Sequence, residues 1–155
     1  MTPAIKQLDS AKCAYQTHQY EHDSHHSSYG LEAAEKLKLA ANQVFKTLVV
    51  ELDSHQLAVA ILPVCQQLNL KRMAKACGVK KAAMASPDKV QRTTGYVLGG
   101  VSPLGQKKRL QTVIDESAQH FAHIYISGGR RGLEISLSAS DLSQLTSASF
   151  AQLTE

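Results

Sequence analysis

Cysteine is scarce in this chain of 155 residues, with only Cys13, Cys65 and Cys77. Their odd number, and the lack of C-x-x-C spacing or a short Cys/His pairing, exclude a disulfide framework and suggest no zinc site. Reduced thiols in a cytoplasmic protein are therefore expected. Glycine and proline are also few, 9 and 4, beside a hydrophobic content of 43%, which excludes fibrous and disordered classes and predicts a packed core. No stretch approaches the eighteen or so uncharged apolar residues of a spanning helix, and the opening MTPAIKQLDSAK lacks an apolar signal core. Neither secretion nor membrane insertion is expected. The Walker pattern and G-x-G-x-x-G are both missing, which disfavours nucleotide hydrolysis and dinucleotide binding. No repeat, low-complexity tract or linker divides the chain, so a single domain over residues 1–155 is expected.

Seventeen Lys and Arg against thirteen Asp and Glu leave a net charge of +4, which suits a polyanionic partner without a histone-like excess. The basic residues come in small clusters: Lys71, Arg72 and Lys75, then Lys80 and Lys81, then Lys107, Lys108 and Arg109. Each is explicable as a solvated face, yet together they could track an RNA backbone. No aromatic platform is interleaved with them, so recognition of shape or of an RNA end is expected over sequence readout.

Local signals predict alternating elements. Thr2 and Pro3 form an N-cap and first-turn pair for a short helix through about Lys12. Tyr15, Thr17 and Gln19 alternate as a strand does, and the polar segment YEHDSHHSSYG then feeds a helix beginning after Gly30. The runs VFKTLVVEL and QLAVAILPV, joined by Asp53 and Ser54, predict a hairpin. Asn69 caps a helix that Gly78 stops, and Ser86, Pro87 and Asp88 start another. LQTVID, HIYIS and LEISL are three further strands, and Ser140 with Asp141 is expected to cap a last helix. The sum is an α+β fold with a mixed, largely β core and peripheral helices.

Four features carry possible chemistry. In Gly99-Gly100-Val101-Ser102-Pro103-Leu104-Gly105, three glycines and a proline can turn backbone N–H groups toward a ligand, as an oxyanion hole or phosphate cradle, or simply connect two strands. Ser127-Gly128-Gly129-Arg130-Arg131-Gly132 offers paired guanidinium groups to phosphate, although arginines on a turn are commonly solvated. Lys46 interrupts an apolar strand on the face of Leu48 and Val50; it either snorkels from a sheet edge or sits in a cleft where it binds an anion or polarises a carbonyl. His18, His22, His25 and His26 lie close in sequence, but no nearby Cys or ordered carboxylate completes a ligand set, so no metal site is expected. Ser102 has no identifiable His and Asp partners, and no hydrolase triad is visible.

FKTLVV, AILPV, LNLKRMAKACGVKKAAMA, TGYVLGGVSPLG, TVID and SGGRRGLEI, in this order and spacing, closely resemble the YbaK/EbsC family of aminoacyl-tRNA deacylases from about Tyr15 to Leu142. The resemblance implies a barrel-like mixed sheet and a cleft in which the ester at the 3′ end of a misacylated tRNA, Cys-tRNA(Pro) and with it Cys-tRNA(Cys), is hydrolysed without a cofactor. It makes Lys46 the principal catalytic residue. Tyr20, Gly99, Gly100, Val101, Ser102, Gly105, Asp115, Ser127 and Gly128 would line the site, with Asp115 alternatively a structural cap. A transient complex with prolyl-tRNA synthetase is also implied.

Overall fold

The computed structural model describes residues 1–26 and 28–155; Ser27, within the expected loop 20–30, lies outside the described residues. Helix α1 (Pro3–Ser10) is capped by the Thr2 hydroxyl, which accepts from the Ile5 N–H, and it buries Ala4 and Leu8. Strand β1 (Gln16–Gln19) follows, then α2 (Tyr29–Lys36), which starts before Gly30 rather than after it. The expected hairpin is formed by β2 (Phe45–Leu52) and β3 (Leu57–Pro63), antiparallel in register from Phe45 opposite Pro63 to Glu51 opposite Leu57.

Asn69 caps α3 (Leu70–Ala76) by accepting from the Arg72 N–H, and Ser86 caps α4 (Pro87–Thr94) by accepting from the Lys89 N–H. Between them lies β4 (Ala82–Met84). The remaining elements are β5 (Gln111–Asp115), a short 3-10 turn (Glu116–His120), β6 (Ile124–Ser127), β7 (Leu133–Leu137), α5 (Ala139–Thr146) and β8 (Ser149–Ala151). The cap of α5 is Ser138, whose hydroxyl accepts from the Asp141 N–H, and not Ser140, which lies inside the first turn. The α+β class is as the sequence implies.

The strands make two sheets, β1-β7-β6 and β4-β2-β3-β5-β8. The second is mixed, since β3 pairs parallel with β5 and β5 parallel with β8. A parallel bridge between Val44 and Tyr125 joins the two sheets, and they do not close into a barrel. Alternation along β2 serves two cores: Phe45 and Val49 enter the larger one with Ile61, Ile114, Ile126 and Ile135, while Val50 and Leu52 enter a smaller one with Leu62, Met73 and Leu153. On its outer side β2 is covered by β4 only from Val50 to Leu52. The first half of β2, carrying Lys46, is thus left facing the ends of the three-stranded sheet.

Candidate active site

A cleft of about 420 Å³ opens in that gap. Phe45, Lys46, Thr47 and Leu48 form one wall; Ser127, Arg130, Arg131 and Glu134 another; Tyr20, Ser28, Tyr29 and Gly30 a third; Leu98, Gly99 and Val101 close it. Lys46 is partly buried, and withdrawal from water pushes its ammonium below its ordinary pKa, with Cys65 acting slightly in the opposite sense. No ion pair engages Lys46 among the described residues. Beside it, the Thr47 hydroxyl oxygen is buried without a hydrogen-bond partner among the described residues, a cost that a bound ligand would relieve.

Glu134 is the most perturbed group here. It sits on β7 opposite His18 on one neighbouring strand and Ser127 on the other, with 6% of its surface exposed. Burial pushes its carboxyl from 4.5 up to about 8, so at neutral pH it is uncharged and able to donate as well as accept. Tyr20, half-buried nearby, has its hydroxyl pKa raised chiefly by burial.

The third wall is held by a chain of contacts around Arg131. Its guanidinium stacks 3.7 Å from the centre of the Tyr29 ring, bonds His22 Nε2 at 3.2 Å and donates to the Leu98 carbonyl at 3.4 Å. On the far side of its ring, His22 Nδ1 lies 2.7 Å from Glu32, which is fully buried. Burial alone would raise the pKa of Glu32, but hydrogen bonds from His22 and the Asp23 N–H, with the charge of Lys36, hold it below its ordinary value. Because arginine can only donate, His22 Nε2 accepts from Arg131 and its Nδ1 carries the proton donated to Glu32. Gly99 makes this stack possible: its φ is +85°, and a Cβ there would lie 2.6 Å from Arg131 Nε and 2.7 Å from the Tyr29 ring.

Of the residues singled out in the sequence, Tyr20, Lys46, Gly99, Val101 and Ser127 line this cleft. The other five are placed elsewhere. Gly100 backs onto the Arg130 main chain, and its N–H is spent on the Val97 carbonyl. The Ser102 hydroxyl is fully buried and accepts from the Leu104 N–H. Gly105 packs on the backbone of Pro3 and donates to Gln7 Oε1 at 2.7 Å, because the second half of the glycine loop docks on α1. Gly128 packs against Leu133 and pairs with its carbonyl. Asp115 caps the turn after β5, accepting from the N–H and hydroxyl of Ser117 and from the Leu153 N–H at 2.8 Å. Sequence reasoning passed over Thr47, Tyr29 and Glu134; for Glu134 a signal existed, a carboxylate between apolar residues in LEISL, of the kind that drew attention to Lys46.

A profile of the aminoacyl-tRNA editing domain matches residues 25–145, which contain Lys46, both glycine-bearing loops and Glu134. The chain belongs to that family. It is 36% identical over 153 residues to EbsC of Enterococcus faecalis, provisionally named a Cys-tRNA(Pro)/Cys-tRNA(Cys) deacylase, a match covering 99% of this chain and 93% of the relative. It is 30% identical over 106 residues to the multifunctional Ser/Thr-tRNA deacylase ProXp-y of Escherichia coli K12, covering 66% of this chain and 64% of that one. A proline-tRNA ligase of Trichlorobacter lovleyi matches at 32% over 95 residues, 61% of this chain and 16% of the ligase. A crystal structure provisionally described as a trans-editing enzyme for prolyl tRNA synthetase superposes with a TM-score of 0.83 at 21% identity, over 100% of this chain and 99% of that one; at that identity the likeness shows the fold. Among the described residues no cluster of His, Cys, Asp and Glu could hold a metal ion, and no helix is long and apolar enough to cross a membrane.

Proposed function

We propose that this protein is a trans-editing hydrolase that cleaves the aminoacyl ester of Cys-tRNA(Pro), and also of Cys-tRNA(Cys), in the cleft around Lys46. The observation that carries this reading is the position of Lys46: a cation of lowered pKa, without an ion pair among the described residues, on the wall of a cleft built within the editing domain. Ester hydrolysis develops negative charge on the carbonyl oxygen, and one donor aimed at it contributes about 3–4 kcal/mol. Lys46 is the side chain assigned that role. Thr47, Tyr20 and the neutral Glu134 supply hydrogen bonds for the amino acid and ribose, and Gly99, Val101 and Ser127 shape the walls.

With no side-chain nucleophile paired to a base, a positioned water or the thiol of the substrate attacks, and we assign the role to the thiol. Ser127 Oγ accepts from the Gly129 N–H, Thr47 Oγ1 is buried, and neither hydroxyl has a histidine among the cleft-lining residues to act as base. In thiol-assisted cleavage the cysteinyl sulfur adds to its own carbonyl carbon, the ester C–O bond breaks, and the thiol proton passes to the tRNA 3′ oxygen. Water then opens the thiolactone. Exclusion of one missing group by fit contributes only about 1–3 kcal/mol, so a larger preference for the thiol marks chemistry. A transient complex with prolyl-tRNA synthetase, whose editing insertion is a relative, would supply tRNA selectivity.

Deacylation rates on tRNA(Pro) carrying Cys, Ala, Ser or Pro test this reading. Rapid loss of the cysteinyl ester alone, abolished in Lys46→Ala, is expected. Equal rates for Cys, Ser and Ala esters would remove thiol assistance, and faster loss of the seryl ester would shift the substrate toward that of the E. coli relative.

A further inference from the structure

Away from the cleft, two grooves of about 380 and 520 Å³ meet along Arg109 and Leu110 and form one trough. It runs from α1, past the loop after α4, to the turn of the β2–β3 hairpin. Its lining contains Lys6, Lys89, Arg92, Lys108 and Arg109, with His55, and no Asp or Glu. In a chain with thirteen carboxylates against seventeen Lys and Arg, a lining with five cations of which four have no acidic partner is a segregation of charge.

The cations are also available. Lys6, Arg92, Lys108 and Arg109 are exposed, and none of them has an ion pair among the described residues. Arg109 spends one terminal nitrogen on the Leu145 carbonyl and the Ser147 hydroxyl, and Arg92 touches only the Asp88 carbonyl of its own helix. Lys89 alone is neutralised, by Glu51 at 2.7 Å.

The trough also adjoins the cleft. Residues 97–105 form a single loop whose Leu98, Gly99 and Val101 line the cleft and whose Pro103 and Gly105 line the trough. Only Ser102 separates Val101 from Pro103, a span of at most about 7 Å. The buried segment Val101–Leu104 is the part of the chain that the two linings share between them. The concave, one-signed surface suits a rod of phosphates, where a flat acidic surface would reach few of these side chains.

We propose that this trough seats the phosphate backbone of the RNA whose aminoacylated end occupies the cleft, an assignment that rests on the deacylase reading above. Each phosphate neutralised steepens the dependence of binding on salt by about 0.7–0.9 in log-log slope.

The test compares the parent with Arg92→Gln/Lys108→Gln and with Lys12→Gln/Lys38→Gln, which removes the same charge from exposed positions outside the trough. Substrates are full-length Cys-tRNA(Pro) and a cysteinylated trinucleotide matching its 3′ end. The trough variant should raise KM on the full-length RNA about tenfold or more with kcat kept, flatten the salt slope by about 2, and leave the trinucleotide rate unchanged; the control variant should match the parent. Equal effects of the two variants, equal losses on both substrates, or an unchanged KM would each overturn the assignment. Should the parent hydrolyse neither substrate, the deacylase reading fails by itself. Binding of uncharged tRNA then decides the trough: selective loss in the trough variant supports it, and equal binding by all three proteins refutes it.

Discussion

Replacing Glu134 by glutamine should make the protein more stable at alkaline pH and leave it nearly unchanged in acid. Folding moves this carboxyl from 4.5 to about 8, because it enters the cleft wall without a compensating cation. Between those values the folded chain keeps the proton while the unfolded chain releases it. Stability linked to Glu134 is therefore fully present below pH 4.5 and is lost as pH rises through 8. At 1.36 kcal/mol per pH unit, a separation of about 3.5 amounts to at most about 5 kcal/mol. Glutamine keeps the shape and the hydrogen-bonding capacity of the protonated acid and does not titrate. Urea unfolding of both proteins at pH 5 and pH 9 measures the difference, and every other titrating group cancels between them. Curves that coincide at pH 5, with the Gln variant ahead by several kcal/mol at pH 9, are expected. A difference independent of pH would refute the assignment of a neutral buried carboxyl.

Lys46→Ala should lower kcat/KM for deacylation about 10²–10³-fold, with an unfolding midpoint close to the parent's since the side chain is only partly buried; an equal fall in stability would make the effect structural. Asp115→Ala should cost about 2–3 kcal/mol, because it leaves the buried Leu153 N–H and the turn at Ser117 unpaired. That lowers Tm by about 5–10 °C, while the rate per folded molecule is unchanged; a selective rise in KM would instead put Asp115 in contact with substrate. Gly99→Ala forces a Cβ into Arg131 and Tyr29 at φ +85°, and should destabilise by about 1 kcal/mol or more and raise KM by opening the stacked wall. An unaltered KM would show that the stack does not shape the cleft.

Much of the fold was legible because its signals are local. Thr2 before Pro3, Asn69, and Ser86 before Pro87 are caps that need nothing beyond the next turn, and Asp53 with Ser54 marks a two-strand junction by itself. The three-residue strands β4 and β8 were not legible: Ala82–Met84 and Ser149–Ala151 are too short for periodicity and exist because an edge of β2 and of β5 offers unpaired backbone. The cap of α5 was misplaced within Ser138-Ala139-Ser140-Asp141 because two serines in one turn carry the same local signal. In the site, Lys46 was legible as a charge in an apolar strand. Gly105 and Asp115 were drawn toward the cleft by their neighbours in sequence, whereas the fold spends them on α1 and on the 151–153 segment, contacts that no local pattern encodes. The stack of Arg131 on Tyr29 joins residues a hundred positions apart and could be found only in three dimensions.

The modest net charge understates how this chain treats an anion. Three carboxylates are withdrawn inside: Glu32 with no exposed surface, Asp115 with 3% and Glu134 with 6%. Glu32 is matched by His22 and Lys36, Asp115 is satisfied by main-chain and serine donors, and Glu134 is protonated at neutral pH. The charges left lining the cleft are Lys46, Arg130 and Arg131, all positive, and Arg131 is fixed before any ligand arrives by Tyr29, His22 and the Leu98 carbonyl. Fixed donors around a developing oxyanion cost no reorganisation during the reaction. Charge of the same sign continues across the 97–105 loop into the trough. With these three acids buried, the cleft presents cations to an anionic ligand without an ionised carboxylate in its lining, the arrangement the proposed function requires.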